Sequence, residues 1–91
     1  MKYSVQHSKR FLKSLGKVKQ LRAFKSEKLK EVISLLAYGE KLPLQYKDHG
    51  LQGDMRMFRE CHLSTDILLI YEIDENVLTL ILVNIGSPLI F

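Results

Sequence analysis

The sequence is poor in the residues that build disulfides and metal sites. Among its 91 residues there is one cysteine, Cys61, and there are three histidines at separated positions. A single cysteine excludes an internal disulfide and is typical of the reducing cytoplasm. Because no zinc-binding spacing of cysteine and histidine is present, we expect neither a structural metal nor a cofactor.

The sequence also lacks a long apolar run. A membrane helix needs ~20 consecutive apolar residues, and no segment comes near that length. The first eleven residues, MKYSVQHSKRF, contain no apolar core of a secretory signal. A chain of 91 residues is long enough for one domain with a modest core. We therefore expect a single cytoplasmic domain over residues 1–91 that does not enter a membrane.

Acidic residues are scarce in the first half of the chain. Residues 1–47 contain three of the ten acidic residues but twelve of the fourteen Lys and Arg residues. A half this basic suggests a polyanionic partner, such as nucleic acid, an acidic protein or an anionic membrane surface. It is equally typical of two solvated helices that lysine keeps soluble, and charge alone leaves both interpretations open.

Hydrophobic periodicity predicts the element order β-α-α-β-β-β. Residues 2–6 alternate as a short strand, Ser8 is placed to cap a first helix, and Ser26 to cap a second. A long irregular connection follows over residues 39–54. The segments MRMFRECHL, ILLIYEI and VLTLILVNI then predict three strands joined by short turns. This order indicates an α+β fold, with two N-terminal helices packed on a twisted, mainly antiparallel four-stranded sheet.

Polar chemistry is concentrated in the segment KDHGLQGDMRMFRECHL, residues 47–63. If its second half is a strand, alternation places four side chains on one face, namely Arg56, Phe58, Glu60 and His62. The opposite face, which carries Cys61, two methionines and Arg59, is expected to pack against the helices. A cation, an aromatic ring, an acid and an imidazole in one row form a poor core and a plausible RNA-binding face.

Two histidines near several carboxylates meet the minimum for RNA cleavage without a metal. His49 lies in the loop, and Asp66 is expected to return beside His62 across a tight turn. One imidazole can remove the ribose 2′ proton while the other protonates the 5′-leaving oxygen. Taken singly, each of these residues is also typical of an ordinary polar loop or of an exposed strand.

The segments DHGLQGDMRMFRECHLSTDILLIYEI and YGEKLPLQYKDH, with a terminal glycine-serine segment, resemble the YafQ-like branch of the RelE/ParE toxin superfamily. The resemblance implies a small bacterial toxin of a type II toxin–antitoxin system with a RelE-like fold. It further implies a ribosome-dependent endoribonuclease that cleaves translated mRNA without a metal. The implied partners are an acidic antitoxin and ribosome-bound mRNA, with operator DNA bound only through the toxin–antitoxin complex.

The resemblance also assigns residue roles. It carries catalytic roles to two histidines and two carboxylates, which are His49, His62, Asp66 and Glu60. Three basic side chains are candidates for phosphate contact, namely Lys47, Arg56 and Arg59. Phe91 matches the terminal aromatic residue that lies at the RNA site in family members.

Two positions depart from the family pattern. Family members commonly carry a catalytic histidine where this chain has Pro88, and many relatives have a cation where it has Asn84. Proline cannot transfer a proton, and the loss of a general acid typically slows a reaction by about 10²–10⁴-fold. Three functions therefore stay open: an endoribonuclease with a depleted site, a non-catalytic member that binds only antitoxin or ribosome, and a gyrase-directed toxin.

Overall fold

The chain forms the predicted succession of strands and helices, with one strand more. The computed structural model describes residues 1–88. Within them lie β1 (Ser4–His7), α1 (Lys9–Val18), α2 (Ser26–Ala37), β2 (His49–Gly50), β3 (Arg59–Ser64), β4 (Ile67–Asp74) and β5 (Thr79–Gly86). The α+β class is confirmed. The sheet has five strands where the sequence predicts four, because residues 49–50 of the connecting loop pair with β3.

The sheet is mainly antiparallel, as predicted. Its strands are ordered β1-β5-β4-β3-β2. β1 runs parallel to β5, and the other neighbouring strands are antiparallel. Parallel pairing requires a long crossover, which the two helices and the following loop supply. The tight turns after β3 and β4 make the rest of the sheet an antiparallel meander.

Both helices bury one apolar side against the sheet. α1 begins at the predicted cap, where the Ser8 hydroxyl accepts a hydrogen bond from the Phe11 amide at 2.9 Å. α2 buries Leu29, Val32, Leu36 and Ala37. The prediction that Ser26 caps α2 is wrong, because Ser26 is the first helical residue and donates its hydroxyl to the adjacent Glu27. In the part of the chain described, no helix has the length and apolar character needed to cross a membrane.

The loop over residues 39–54 is more ordered than the sequence predicts. It contains two short 3-10 turns, Leu44–Tyr46 and Gly53–Met55. Tyr46 is fully buried, and its hydroxyl donates to Glu31 on α2. This aromatic side chain therefore ties the loop to the core just before the polar segment begins.

Strand β3 is shorter than predicted. It begins at Arg59 instead of Met55, because the preceding residues form a 3-10 turn in which the Arg56 amide donates to the Gly53 carbonyl at 3.2 Å. Met55 and Met57 are exposed and do not pack in the core. Arg56 therefore lies outside the strand, and the predicted four-residue row is reduced to its last two members, Glu60 and His62. The prediction that the opposite face packs in the core is confirmed for Cys61 and Leu63, which are buried, and is wrong for the two methionines.

Gly39 ends α2 in a conformation that favours glycine. Its φ is +76°, and its amide and the next donate to the carbonyls of Leu36 and Leu35, as in a Schellman motif. A Cβ at this position would lie 2.8 Å from Cδ of Lys2. The chain therefore turns from α2 into the loop at a position where a side chain is costly.

We expect Gly39→Ala to lower the free energy of unfolding by about 1–2 kcal/mol, the usual cost of a left-handed conformation for a residue with a side chain. Gly16→Ala is the matched control. Gly16 lies within α1 with no atom within 4 Å of an added Cβ, so its replacement should stabilise by about 0.5–1 kcal/mol. Urea denaturation of both variants measures the two changes. Equal shifts of the same sign would contradict this interpretation of Gly39.

Candidate active site

The pairing of β2 with β3 brings two imidazoles to one carboxylate. His49 lies opposite Glu60 in the register, and His62 follows on the same face of β3. Nε2 of His49 is 3.3 Å from Oε1 of Glu60, and Nε2 of His62 is 3.8 Å from the same oxygen. The two ring centroids are 6.3 Å apart. His49 is half-exposed and His62 partly exposed, so both rings are open to a substrate.

The two imidazoles differ in their hydrogen-bond environment. Nδ1 of His49 lies 2.8 Å from the Lys47 carbonyl oxygen, so an acceptor faces each of its nitrogens. Within residues 1–88, by contrast, Nδ1 of His62 has no hydrogen-bond partner. The two rings therefore differ, because acceptors face both nitrogens of His49 and only one nitrogen of His62.

The residue before His49 is held by two strands of the sheet. Asp48 accepts a hydrogen bond from Nη2 of Arg59 at 3.0 Å on one oxygen, and from the Tyr71 hydroxyl at 2.5 Å on the other. We call these three residues the Asp48 clamp. Burial and the hydrogen bond to Asp48 raise the pKa of Tyr71, so the phenol keeps its proton and donates. The bond to Asp48 likewise raises the pKa of Arg59. The clamp thus fixes the loop from which His49 projects.

Strand register also places the end of β5 near the imidazoles. Glu60 pairs with Ile70, which pairs with Asn84, and His62 pairs with Leu68, which pairs with Gly86. Residues paired across strands share a face of the sheet. Asn84 and the start of the tail therefore lie two strands away from Glu60 and His62, roughly 10 Å.

The groups at the β5 end are not arranged for proton transfer. Asn84 is buried and its Oδ1 accepts the Ile85 amide at 2.9 Å. Pro88 is exposed, one residue beyond Ser87, where the description of the chain ends. The prediction for Phe91 lies outside the described residues.

The position of Asp66 differs from the prediction. Asp66 does not come back to His62: it is exposed in the β3–β4 turn, and its carboxylate has no hydrogen bond or ion pair within residues 1–88. The cause is an irregularity after His62, which shifts the register so that Ser64 pairs with Ile67 and the turn lies beyond the strand end. Arg59 lies on the face opposite the imidazoles, as the strand parity predicts, and pairs with Asp48.

The remaining polar residues have simpler roles. Lys47 is exposed, with a left-handed φ of 48° that turns the chain into β2. The Arg56 guanidinium is exposed and donates to the Gly53 carbonyl at 3.4 Å. Cys61 is buried, and burial together with the nearby carboxylates raises the pKa of its thiol to about 12. The thiol is therefore a core group and not a nucleophile, as predicted.

A metal centre is not evident at this site. Over residues 1–88, no three side chains of the histidine, cysteine or carboxylate type are grouped so that they could hold a metal ion. His49, Glu60 and His62 face one another across an ion-pair contact instead.

The chain is similar in sequence and fold to bacterial toxins. The profile of the family described as "Bacterial toxin of type II toxin-antitoxin system, YafQ" matches residues 3–88. The mRNA interferase toxin YafQ of Escherichia coli K12 is 37% identical over 79 residues, which span 86% of this chain and 80% of the relative.

Solved structures agree with these matches. The crystal structure of a metal-bound toxin from Helicobacter pylori has a TM-score of 0.89, with 38% identity and 98% of both chains covered. The E. coli DinJ-YafQ complex contains a chain with a TM-score of 0.85 and 28% identity, covering 98% of this chain and 97% of that one.

We expect Tyr71→Phe to loosen His49 without removing any group at the imidazoles. Losing a buried hydrogen bond to a carboxylate should lower the free energy of unfolding by about 1–3 kcal/mol. The NMR resonances of the His49 ring should shift or broaden. Tyr38→Phe is the matched control, since Tyr38 is exposed and its hydroxyl has no hydrogen bond in the described chain. Unchanged His49 resonances in Tyr71→Phe would show that the clamp does not position this ring.

Proposed function

The chain belongs to the YafQ family of bacterial toxins of type II toxin–antitoxin systems, and from this membership we propose that it is an endoribonuclease that cleaves ribosome-bound mRNA without a metal ion. One observation carries the proposal: His49 and His62 meet at a single oxygen of Glu60 on an open rim of the sheet. Two imidazoles so placed can serve the two proton transfers that phosphodiester cleavage needs.

The proposed reaction uses the difference between the two rings. His62 takes the proton of the ribose 2′-hydroxyl, and the oxygen attacks the adjacent phosphorus. A P–O2′ bond forms while the P–O5′ bond breaks. His49 gives its proton to the departing 5′ oxygen, leaving a 2′,3′-cyclic phosphate and a free 5′-hydroxyl. Glu60 touches both rings and holds them in the orientation that the transfers require.

Exposed cations stabilise the negative charge that develops on the phosphate oxygens in the proposed reaction. Lys47 and Arg56 have no ion pair with a carboxylate in the described chain and stay our candidates for phosphate contact. Arg59 acts through Asp48, so we give it a positioning role. Asp66 stays a proposed catalytic residue, and its exposed position at the end of β3 is consistent with contact to bound RNA instead of to His62. Phe91 stays the proposed stacking group.

The partners follow from the charge distribution and from the relatives. E. coli YafQ has been crystallised in complex with DinJ. We propose that this chain likewise binds an acidic antitoxin and, as part of that complex, operator DNA. The basic first half, with twelve of the fourteen Lys and Arg residues, offers complementary charge both to an acidic protein and to ribosomal RNA.

A second candidate is a non-catalytic member that binds antitoxin or ribosome without cutting. Pro88 and Asn84 favour it, because the β5 end lies on the imidazole face and contributes neither a proton donor nor a cation there. The two candidates share a fold and partners and differ only in chemistry.

Replacing either imidazole tests the chemistry. We expect His49→Ala and His62→Ala each to slow transcript cleavage in a translating extract by about 10²–10⁴-fold. The double variant should lose little more, because both residues serve one step. His7→Ala is the control, since His7 lies on the edge strand β1 beside Phe11. Cleavage should persist with a chelator selective for transition metals, which leaves ribosomal Mg²⁺ in place. Transcripts that stay intact at high toxin concentration would refute the nuclease proposal.

Replacing Pro88 by histidine tests whether the missing tail histidine limits cleavage. We expect Pro88→His to raise the cleavage rate by about 10²–10⁴-fold if a missing general acid limits the reaction. Pro88→Ala is the control, because it removes the ring constraint without adding a proton donor. Equal cleavage rates for the histidine and alanine variants would show that the absence of a tail histidine does not limit the reaction.

A further inference from the structure

A second polar cavity shares a wall with His62. It has a volume of about 410 Å³ and lies between the start of α2, the 3-10 turn at residues 44–46 and the end of β3. Its lining side chains are Lys28, Gln45, Tyr46, Lys47, His62, Leu63, Ser64 and Thr65. The volume is within the range of about 300–1,000 Å³ that is usual for ligand sites.

Among residues 1–88, the side chains that line the cavity include two lysines and no carboxylate. Lys28 and Lys47 are both exposed, and neither forms an ion pair in the part of the chain described. A cavity on the helix side of the sheet differs because two carboxylates, Glu40 and Asp48, line it together with Lys41, Lys47 and Arg59. In that cavity carboxylates offset the cations, whereas the described lining of the first cavity offers an anion its two ammonium groups alone.

Lys28 is held over the cavity by an aromatic ring. Its ammonium lies 5.9 Å from the centroid of the Tyr46 ring, a cation–π distance. Tyr46 is buried and hydrogen-bonded to Glu31, so this ring is a fixed platform. Hydroxyl and amide donors from Ser64, Thr65 and Gln45 complete the lining.

The chemistry of the lining selects phosphate and not a base. Tyr46 presents almost no free surface on which a base could stack, and apart from His62 no other aromatic ring of the described chain lines the cavity. Two ammonium groups with hydroxyl and amide donors are the groups that bind a phosphate without reading sequence.

We propose that this cavity is a subsite for a backbone phosphate of the RNA next to the cleaved bond, with Lys28 as its principal ligand. The inference rests on the proposed function, because the shared wall at His62 is what makes the neighbouring nucleotide of a bound RNA reach the cavity. Lys28 is then a binding residue that acts in substrate affinity and not in proton transfer.

Substitution of Lys28 provides the first test. We expect Lys28→Gln to lower kcat/KM for transcript cleavage by about three- to tenfold, the effect of one charge-assisted hydrogen bond, with the loss in KM. The slope of log KM against log salt should fall by about 0.7, as for one phosphate contact on a single strand. Lys28→Arg should retain both the kcat/KM and the salt slope of the unmodified protein. Lys30→Gln is the matched control, with the same charge change on an exposed position of the same helix. Thermal unfolding of each variant checks the fold.

Binding without cleavage provides the second test. The probe is a short oligonucleotide with 2′-O-methyl groups, which cannot be cut, titrated into ¹⁵N-labelled protein. Amide shifts at Gln45, Ser64 and Thr65 that Lys28→Gln abolishes and Lys30→Gln keeps would support the subsite. This result would hold even if the wild-type protein does not cleave RNA, in which case the nuclease proposal alone fails.

Three outcomes would overturn the subsite. Lys28→Gln and Lys30→Gln could lower cleavage equally, or the oligonucleotide could shift amides only elsewhere. An acidic peptide could also shift these amides where the oligonucleotide does not, and the cavity would then serve a protein partner.

Discussion

The pairing of a two-residue strand with β3 is the contact on which the proposed site depends. β2 consists of His49 and Gly50 alone, and its register puts His49 opposite Glu60. Because side chains alternate across a strand, a slip of one residue would turn His49 to the other face of the sheet. Two residues cannot fix a register by themselves. The Asp48 clamp does so from one side, and the buried Tyr46 anchors the turn before it.

These anchors explain why an exposed site can be well ordered. Each uses a side chain from a strand or helix that the core already fixes: Tyr71 from β4, and Glu31 from α2 through Tyr46. The carboxylates near the site therefore act mainly as hydrogen-bond acceptors that hold the loop in place. Asp48 is paired with a guanidinium and a phenol, and Glu60 contacts two imidazoles, so neither carboxylate is left without a partner beside a bound RNA.

Much of this arrangement could be predicted from the sequence. Apolar alternation and helical periodicity gave the element order, and the parity of RECH separated Cys61 from Glu60 and His62. The conformation of the loop over residues 39–54 was harder to predict, because tertiary contacts determine it and the local sequence pattern does not. Nothing local to Tyr46 or Tyr71 indicates that their hydroxyls reach Glu31 and Asp48. The pairing of β2, the turn that keeps Arg56 out of β3, and the position of Asp66 beyond the bulge depend likewise on neighbours distant in sequence.

The geometry also limits what the altered tail can change. Proton transfer needs heavy atoms within about 3 Å, directly or through one water, and in the reaction that we propose His49 and His62 make these contacts on one side of the phosphate. The end of β5 is two strands away, on the side where a further donor or cation would act. The changes at Pro88 and Asn84 therefore concern a further cation and a further proton donor beside the phosphate. They leave the contacts of the two imidazoles intact. In the subsite that we propose, Lys28 would approach the RNA backbone from the His62 side and supply part of the positive charge that the β5 end lacks.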